Sequence, residues 1–354
     1  MSRLPNPFRS RAAVSPASGV RRLARRCAAT LLALGVSLTA AGADTRPATP
    51  MFEDFTVANG AMTVFARGDY VEPYTAIYAL LVAHRLGVDV HAHADALAHW
   101  LLPYQQANGP FPRICRSGGA QWVACGPADA DDSLAVFWCT LASEVLKGDR
   151  ALEASCGRSL ENLATLWDPQ RATFRARFGR PEAYFADNVE VAGALGGLRA
   201  RPDTAARYAR ELSQLPSQRQ MLDGLARSYG YDPAVALEPA HATLPPALYG
   251  FYPNVVAPVY LWLSDVSTGP QETRQWAVWK HRHAEDWLAG KSDHYPWGLI
   301  ALAAYKTGDL QTAAAWLRAS AGWRAQGRWN LLEEGVRIGL LHAMPDTADG
   351  PNMQ

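Results

Sequence analysis

The sequence predicts an all-α fold, an (α/α)6 toroid in which a ring of six inner helices is surrounded by outer helices. Helical hydrophobic periodicity runs through the chain after residue 43, with hardly any of the alternation typical of strands. Six segments, among them DADDSLAVFWCTLASEVLKG and SDHYPWGLIALAAYKTGD, start with polar, acidic or aromatic residues and continue as helices that are apolar on all sides. Amphipathic helices such as RALEASCGRSLENLATLW lie between them, as two nested rings require.

The polar starts of the inner helices, here called heads, lie roughly 40 to 65 residues apart along the chain. They fall near Asp69, Asp131, Asp187, Tyr252, Asp293 and Glu333. Because the inner helices of a toroid run parallel, we expect all six heads at one mouth, five of them with a carboxylate. An open solenoid is the alternative, and TGDLQTAAAWL resembles a tetratricopeptide repeat, but a solenoid would keep a nearly fixed period of about 34 residues.

The two ends of the chain are predicted to lie outside the toroid. Residues 1–43 have an arginine-rich start, an apolar stretch and a small-residue site at 41–43, which indicates a cleaved secretory signal peptide. Retention of this segment as a membrane anchor is the alternative, although its apolar stretch is short for a spanning helix. Residues 44–60 are predicted to be a disordered lead-in, 61–345 the toroid domain and 346–354 a disordered tail. We therefore expect a periplasmic or secreted protein with no stable membrane insertion after signal cleavage.

Four cysteines remain after Cys27 leaves with the signal peptide, an even number in an oxidising compartment. Cys115 and Cys125 lie symmetrically about a Gly-Gly turn, as in a short hairpin. Cys139 and Cys156 lie symmetrically about a Lys-Gly turn between two predicted antiparallel helices. The sequence thus predicts the disulfides Cys115–Cys125 and Cys139–Cys156, since neither spacing resembles a zinc knuckle.

Charge and composition narrow the class of partner. The formal net charge is +1, the sequence pI is about 7.7 and no Lys/Arg block follows the signal peptide, so nucleic-acid binding is not predicted. The histidines of the outer helices have no acidic partner at ligand spacing, and neither a metal nor another cofactor is predicted. Twelve Trp and thirteen Tyr suit a sugar-binding cleft as well as a core. A monomer is expected.

Three heads resemble segments of the six-hairpin glycosidases, most closely glycoside hydrolase family 8, which includes secreted bacterial cellulases and chitosanases. In VEPYTAIYALL, Glu72 matches the family's general acid, although the flanking Ser and Gly of the family differ here. In ADADDSLAVFW, Asp129 or Asp131 matches the aspartate that holds the distorted sugar. In GFYPNVVAPVYLW, the place of the catalytic base falls on Pro253 or Asn254, so that base is missing. The resemblance implies a polysaccharide-cleaving hydrolase.

Glycoside hydrolysis needs one carboxylic acid that protonates the leaving oxygen and a carboxylate facing it, about 5 Å away for retention or roughly 6.5–9.5 Å for inversion. Carboxylates on different inner helices suit the larger separation. Glu72, which lies between two tyrosines, is the predicted acid. Asp187 is the first candidate for the opposing carboxylate, followed by Asp131 and Asp293.

A poly- or oligosaccharide is the predicted partner. The expected substrate-binding residues share a place at the heads and are Asp129, Tyr70, Tyr252, Asp293, Tyr295 and Trp297. Each has a structural alternative. The acids would also serve as helix caps, or as first-turn residues that suit the helix dipole, and the aromatic residues would also serve as core.

Other functions remain open on the sequence. A non-catalytic protein of the same fold would bind polysaccharide or serve exopolysaccharide assembly, as the missing base suggests. A polysaccharide lyase would use a Tyr/His pair such as Tyr295 with His294. The stretch DADDS also resembles the DxDD acid motif of class II terpenoid cyclases, but those enzymes usually need two α-toroid domains, and this chain has the length for one.

Overall fold

A computed structural model describes residues 51–57, 59–118, 121–230, 250–264, 266 and 271–345. The predicted signal peptide, the predicted tail 346–354 and the segment 231–249 lie outside the described residues. Within the described ranges the chain forms thirteen α-helices and five short strands. The helices are α1 (Pro73–Arg85), α2 (His91–Leu101), α3 (Asp131–Glu144), α4 (Arg150–Leu166), α5 (Phe185–Ala200), α6 (Pro202–Arg207), α7 (Ala209–Ser213), α8 (Gln218–Tyr229), α9 (Val259–Leu263), α10 (Gln271–Leu288), α11 (Gly298–Lys306), α12 (Leu310–Trp323) and α13 (Leu331–Ala343).

Six of these helices form a closed inner ring in the order α1, α3, α5, α9, α11 and α13. Each packs against the next, and α13 packs against α1, which closes the ring. The remaining seven helices pack outside it: α2 against α1, α4 against α3, α6 and α8 against α5, α7 against α4 and α6, α12 against α11 and α13, and α10 against α12. This arrangement confirms the predicted all-α (α/α)6 toroid.

Small residues allow the inner helices to approach closely. A Cβ atom added at Gly335 of α13 would lie 2.6 Å from the backbone oxygen of Ala79 in α1. Backbones this close leave no room for a side chain, which explains why the inner helices are rich in glycine and alanine. The apolar side chains on the other faces of these helices form one continuous core.

Five short β-strands precede the inner helices α1, α3 and α5 in the chain. The strands are β1 (Tyr70–Val71), β2 (Pro112–Ser117), β3 (Gln121–Pro127), β4 (Trp167–Asp168) and β5 (Thr173–Phe174). An antiparallel sheet has the order β1–β2–β3, and β4 pairs with β5. Because β1 lies directly before α1 and β3 directly before α3, the sheet connects the heads of two inner helices.

Both predicted disulfides are present. Cys115 and Cys125 join β2 to β3, with their Cα atoms 5.7 Å apart. Cys139 and Cys156 join α3 to α4, with Cα atoms 5.0 Å apart, and both side chains are buried. The two bonds fit the oxidising compartment that export predicts. None of the helices in the described ranges has the length and apolar character needed to cross a membrane.

Part of the predicted lead-in belongs to the folded domain. Phe52 and Phe55 are 1% and 3% exposed and pack into the core. Thr56 pairs with Met62 in an isolated antiparallel bridge. The expectation of disorder over 44–60 therefore does not hold for its second half, because two phenylalanines bury their rings against the toroid.

Candidate functional site

A cleft of about 790 Å³ opens at the mouth of the toroid where the N-termini of the inner helices meet. Residues from the heads of all six inner helices line it. The predicted site residues among them are Tyr70, Glu72, Asp129, Asp187, Tyr252, Asp293, Tyr295 and Trp297. The predicted gathering of the heads thus brings eight of the nine candidate catalytic and substrate-binding residues to one cleft.

Asp131 is the exception, because it does not line the cleft. It is the first residue of α3, and its backbone N–H donates to the carbonyl oxygen of Ala176 at 2.9 Å. Burial raises the pKa of Asp131 to about 6, partly offset by the positive charge of Arg177. Its role as a catalytic or sugar-orienting residue stays a prediction.

Glu72 precedes α1 but makes no side-chain hydrogen bond to the helix, so capping does not account for it. One carboxylate oxygen accepts from Nε of Arg113 at 2.8 Å, and the other accepts from the backbone N–H of Asp129 at 3.1 Å. Burial raises the pKa of Glu72 above its ordinary value, while these two donors act against the rise. The side chain is held in one orientation by β2 and by the segment before α3.

Asp187 lies in the first turn of α5 and reaches the cleft. Burial, followed by the negative charge of Asp129, raises the pKa of Asp187 to about 7. The group therefore holds a proton for a substantial fraction of the time at neutral pH. Glu333 is a second carboxyl group on the described wall of the cleft with a pKa of about 7.

Two further carboxyl groups, Asp132 and Glu190, are buried near Asp187. Oε1 of Glu190 accepts a hydrogen bond from the hydroxyl of Tyr74 at 2.8 Å. Oδ2 of Asp132 and Oε2 of Glu190 have no hydrogen-bond partner among the described residues. Burial, together with the charge of Asp187, raises the pKa of both groups well above the ordinary range. Burial therefore favours the protonated form of both groups more than in an exposed carboxyl group.

Aromatic rings cover another part of the wall. The rings of Tyr252 and Trp297 stack with centroids 5.0 Å apart and an angle of 17° between their planes. Nε1 of Trp297 donates to Oδ2 of Asp293 at 2.8 Å. Trp297 has φ +52°, in the left-handed region that bulky residues rarely adopt. Strained backbone of this kind persists where the surrounding structure enforces it, and it is common at ligand sites.

Glu333 of α13 helps to hold this strained segment. It is 4% exposed, and its Oε2 accepts the backbone N–H of Gly298 at 2.6 Å. Burial raises the pKa of Glu333 to about 7, although the N–H groups of Gly298 and Trp297 act against the rise. The sequence predicted a head here, but it gave no signal for the contact with α11.

Three arginines on the wall were not predicted from the sequence: Arg113, Arg177 and Arg180. The last two belong to the loop between β5 and α5. The available signal was FRARFGRPEAY, in which arginines recur in a turn-rich stretch directly before an inner helix. In contrast, His294, the predicted partner of Tyr295 in a lyase, is not among the lining residues.

No cluster of three or more His, Cys, Asp or Glu residues with metal-binding geometry occurs in the described ranges. Among the acids of the cleft, Glu72 accepts from Arg113 and a backbone N–H, Asp293 accepts from an indole N–H, and Glu333 accepts from a backbone N–H.

No family model and no curated protein matches the sequence. Among solved structures, the chain is similar to ent-copalyl diphosphate synthase from Streptomyces platensis, with 16% identity and a TM-score of 0.41. The match covers 77% of this chain and 50% of the synthase chain, so this protein spans about half of that structure. The comparisons lend no support to membership in glycoside hydrolase family 8, and no activity is inferred from a likeness at this level.

Proposed function

We propose that the protein binds a poly- or oligosaccharide in the cleft and hydrolyses a glycosidic bond by two-carboxylate acid/base catalysis. The observation that carries the proposal is the coexistence, in one open cleft, of a carboxyl group with a pKa of about 7, a carboxylate paired with arginine, and a stacked aromatic surface. Glycosidases require a carboxylic acid and a carboxylate whose environments differ in this way.

The roles that we propose reverse those expected from the sequence. Asp187 is the general acid, because a catalytic acid works best when its pKa lies near the working pH. Glu72 is the opposing carboxylate, because the Arg113 guanidinium and the Asp129 N–H both stabilise its ionised form. Asp129, whose side chain is largely exposed and whose charge acts on both groups, orients the sugar.

The proposed reaction is a single displacement. Asp187 gives its proton to the glycosidic oxygen as the bond between that oxygen and the anomeric carbon breaks. A water molecule attacks the anomeric carbon from the opposite face and passes its proton to Glu72. Because α3 stands between α1 and α5 in the ring, the wider carboxylate separation of inverting enzymes is the one that we propose.

The aromatic residues of the cleft bind the sugar rings in this proposal. Tyr252 and Tyr295 are partly exposed, and the stacked pair of Tyr252 and Trp297 offers a flat apolar face to a sugar ring. The hydrogen bond from Trp297 to Asp293 fixes the plane of the indole. Such rigid platforms bind pyranose faces at little cost in side-chain entropy.

The test is the release of reducing ends from β-glucans, chitosan and bacterial exopolysaccharides by wild type and Asp187→Asn. We expect the variant to lose about 100- to 10,000-fold of the rate while it keeps its fold and its oligosaccharide affinity. Glu182→Gln is the matched control, because Glu182 also lines the cleft but has no assigned role. An Asp187→Asn variant with the wild-type rate on a cleaved substrate would overturn the assignment.

A second candidate is a non-catalytic polysaccharide-binding protein. The ion pair between Glu72 and Arg113 favours it, because both carboxylate oxygens of Glu72 already accept hydrogen bonds from the protein. The same substrate panel separates the candidates: binding without new reducing ends supports the binding protein. A lyase product would instead absorb in the near ultraviolet.

A further inference from the structure

We propose that the polysaccharide is acidic, and that Arg177 and Arg180 bind its uronate-type carboxylates at the rim of the cleft. The inference rests on the proposed carbohydrate function and adds the substrate class. It depends on the loop between β5 and α5, which carries both arginines.

The loop has a defined shape. Its base is closed by a hydrogen bond from the N–H of Ala176 to the carbonyl oxygen of Glu182 at 2.9 Å. Gly179 turns the chain with φ +72°, a conformation that favours glycine. Outside the turn, the Arg171 guanidinium donates to the carbonyl oxygen of Pro181 at 2.9 Å. The arginines at the mouth are therefore carried on a braced loop.

Both arginines keep unused hydrogen-bond donors. Nη2 of Arg177 donates to the carbonyl oxygen of Asp129 at 2.7 Å, and the Asp129 carboxylate lies 4.0 Å from the same nitrogen. The Arg177 side chain is 34% exposed, whereas its Nε is buried without a hydrogen-bond partner in the described part of the chain and is not accessible to a ligand. The exposed Arg180 side chain makes no hydrogen bond or ion pair with a described residue. A guanidinium carries five N–H donors in a planar fork that matches a carboxylate.

The other charged groups of the cleft leave the loop between β5 and α5 available to an anion. Glu72 is compensated by Arg113, and the pKa values of Asp187 and Glu333, about 7 each, reduce the negative charge at neutral pH. Asp293 belongs to the segment before α11, two helices round the ring from α5, and is bonded to an indole N–H. Asp129 and Glu182 remain as acids near the loop, and Glu182 makes no ion pair with either arginine.

Exposed aromatic residues accompany the arginines on the same segment. Phe178 is 71% exposed at the turn, and Tyr184, which lines the cleft, is 48% exposed. A uronate residue presents a carboxylate beside an apolar pyranose face. Guanidinium and aromatic groups side by side complement both features of such a sugar.

The experiment compares the binding of acidic and neutral oligosaccharides of the same backbone by calorimetry. The first pair is a β-1,4-linked oligoglucuronate and a cello-oligosaccharide of equal length. Carbon 6 is a carboxylate in the first and a hydroxymethyl group in the second. Oligogalacturonate and its methyl ester form the second pair, and oligomannuronate and mannan oligosaccharide form the third. Asp187→Asn protein is measured beside wild type so that turnover does not distort the titration.

We expect at least one acidic member to bind about 10-fold more tightly than its neutral partner, since one charge-assisted pair of this kind contributes about 1.4 kcal/mol. Arg177→Gln with Arg180→Gln should abolish the preference, measured as the ratio of acidic to neutral affinity. Arg180→Gln alone, at an exposed position, should halve the logarithm of that ratio. Arg219→Gln is the control, because it removes an equal charge from an exposed position on α8 outside the cleft.

Equal affinity within every pair, no binding of any acidic member, or a preference that survives the double substitution would each overturn the inference. Its failure is distinguishable from that of the proposed hydrolysis. Preferred binding of an acidic member without any product leaves the inference standing and removes the hydrolase. Cleavage of a neutral glucan, without preferred binding of any acidic member, supports the hydrolase and overturns the inference.

Discussion

Two adjacent glutamates of α13 should respond to pH in opposite directions. Glu333 is buried, no cation in the described ranges pairs with it, and it accepts the Gly298 N–H at 2.6 Å. Glu334 is buried beside Arg337 and Arg324, with Oε1 at 2.6 Å and 3.2 Å from their Nη2 atoms. The decisive perturbation is Glu333→Gln, which keeps the shape of the side chain and removes its titration.

The expected magnitude follows from the pKa of Glu333, which burial raises from 4.5 to about 7. At about 1.4 kcal/mol per pH unit, this difference corresponds to about 3 kcal/mol. Because the folded-state pKa is the higher one, the stabilisation is complete below about pH 4.5 and is lost as the pH rises through about 7. Wild type should therefore lose up to about 3 kcal/mol that Glu333→Gln does not lose.

The measurement is the free energy of unfolding in urea at several pH values between about 5 and 8, with the disulfides intact. Other titrating groups are common to both proteins, so the difference between wild type and variant isolates Glu333. We expect this difference to move by about 3 kcal/mol in favour of the variant across the range. A difference that stays flat from about pH 5 to 8 would refute the assignment of a buried, uncompensated carboxyl group.

Glu334→Gln is the matched control on the same helix. Burial acts to raise the pKa of Glu334, but Arg337 and Arg324 hold it below the ordinary value. Removal of one partner from a buried ion pair costs about 3–5 kcal/mol, so this variant should be destabilised at neutral pH. Because the folded-state pKa is the lower one, that loss should shrink as the pH falls through it. The same pH trend in both variants would contradict the reasoning.

Three further changes have expected outcomes that chemical or thermal unfolding measures. Replacement of Cys139 and Cys156 by alanine should cost about 3 kcal/mol, because the disulfide closes a 17-residue separation between α3 and α4; an unchanged unfolding midpoint would argue against the bond. Gly335→Ala should cost about 1–3 kcal/mol, because its Cβ would lie 2.6 Å from the α1 backbone. Tyr74→Phe should cost about 1–3 kcal/mol, since it removes the hydroxyl that donates to buried Glu190; a neutral result in either case would show that the helices adjust.

Local patterns were sufficient to predict the fold and the meeting of the heads at one cleft. Hydrophobic periodicity is a property of neighbouring residues, so the inner and outer helices can be distinguished before any contact is known. The two disulfides follow from symmetry about short turns, within 10 and 17 residues of sequence. Parallel inner helices then require that their heads meet, which is why Glu72, Asp187 and Trp297 were found among the candidates.

Partners and protonation states were decided by the tertiary structure. Arg113 is 41 residues from Glu72 in the sequence, and Tyr74 is 116 residues from Glu190, so neither pairing has a local signal. The pKa of Asp187 depends on burial by other helices and on the charge of Asp129 from the segment before α3. Residue type and spacing locate a carboxyl group, but the dielectric environment and the charges around it exist only once the ring has closed.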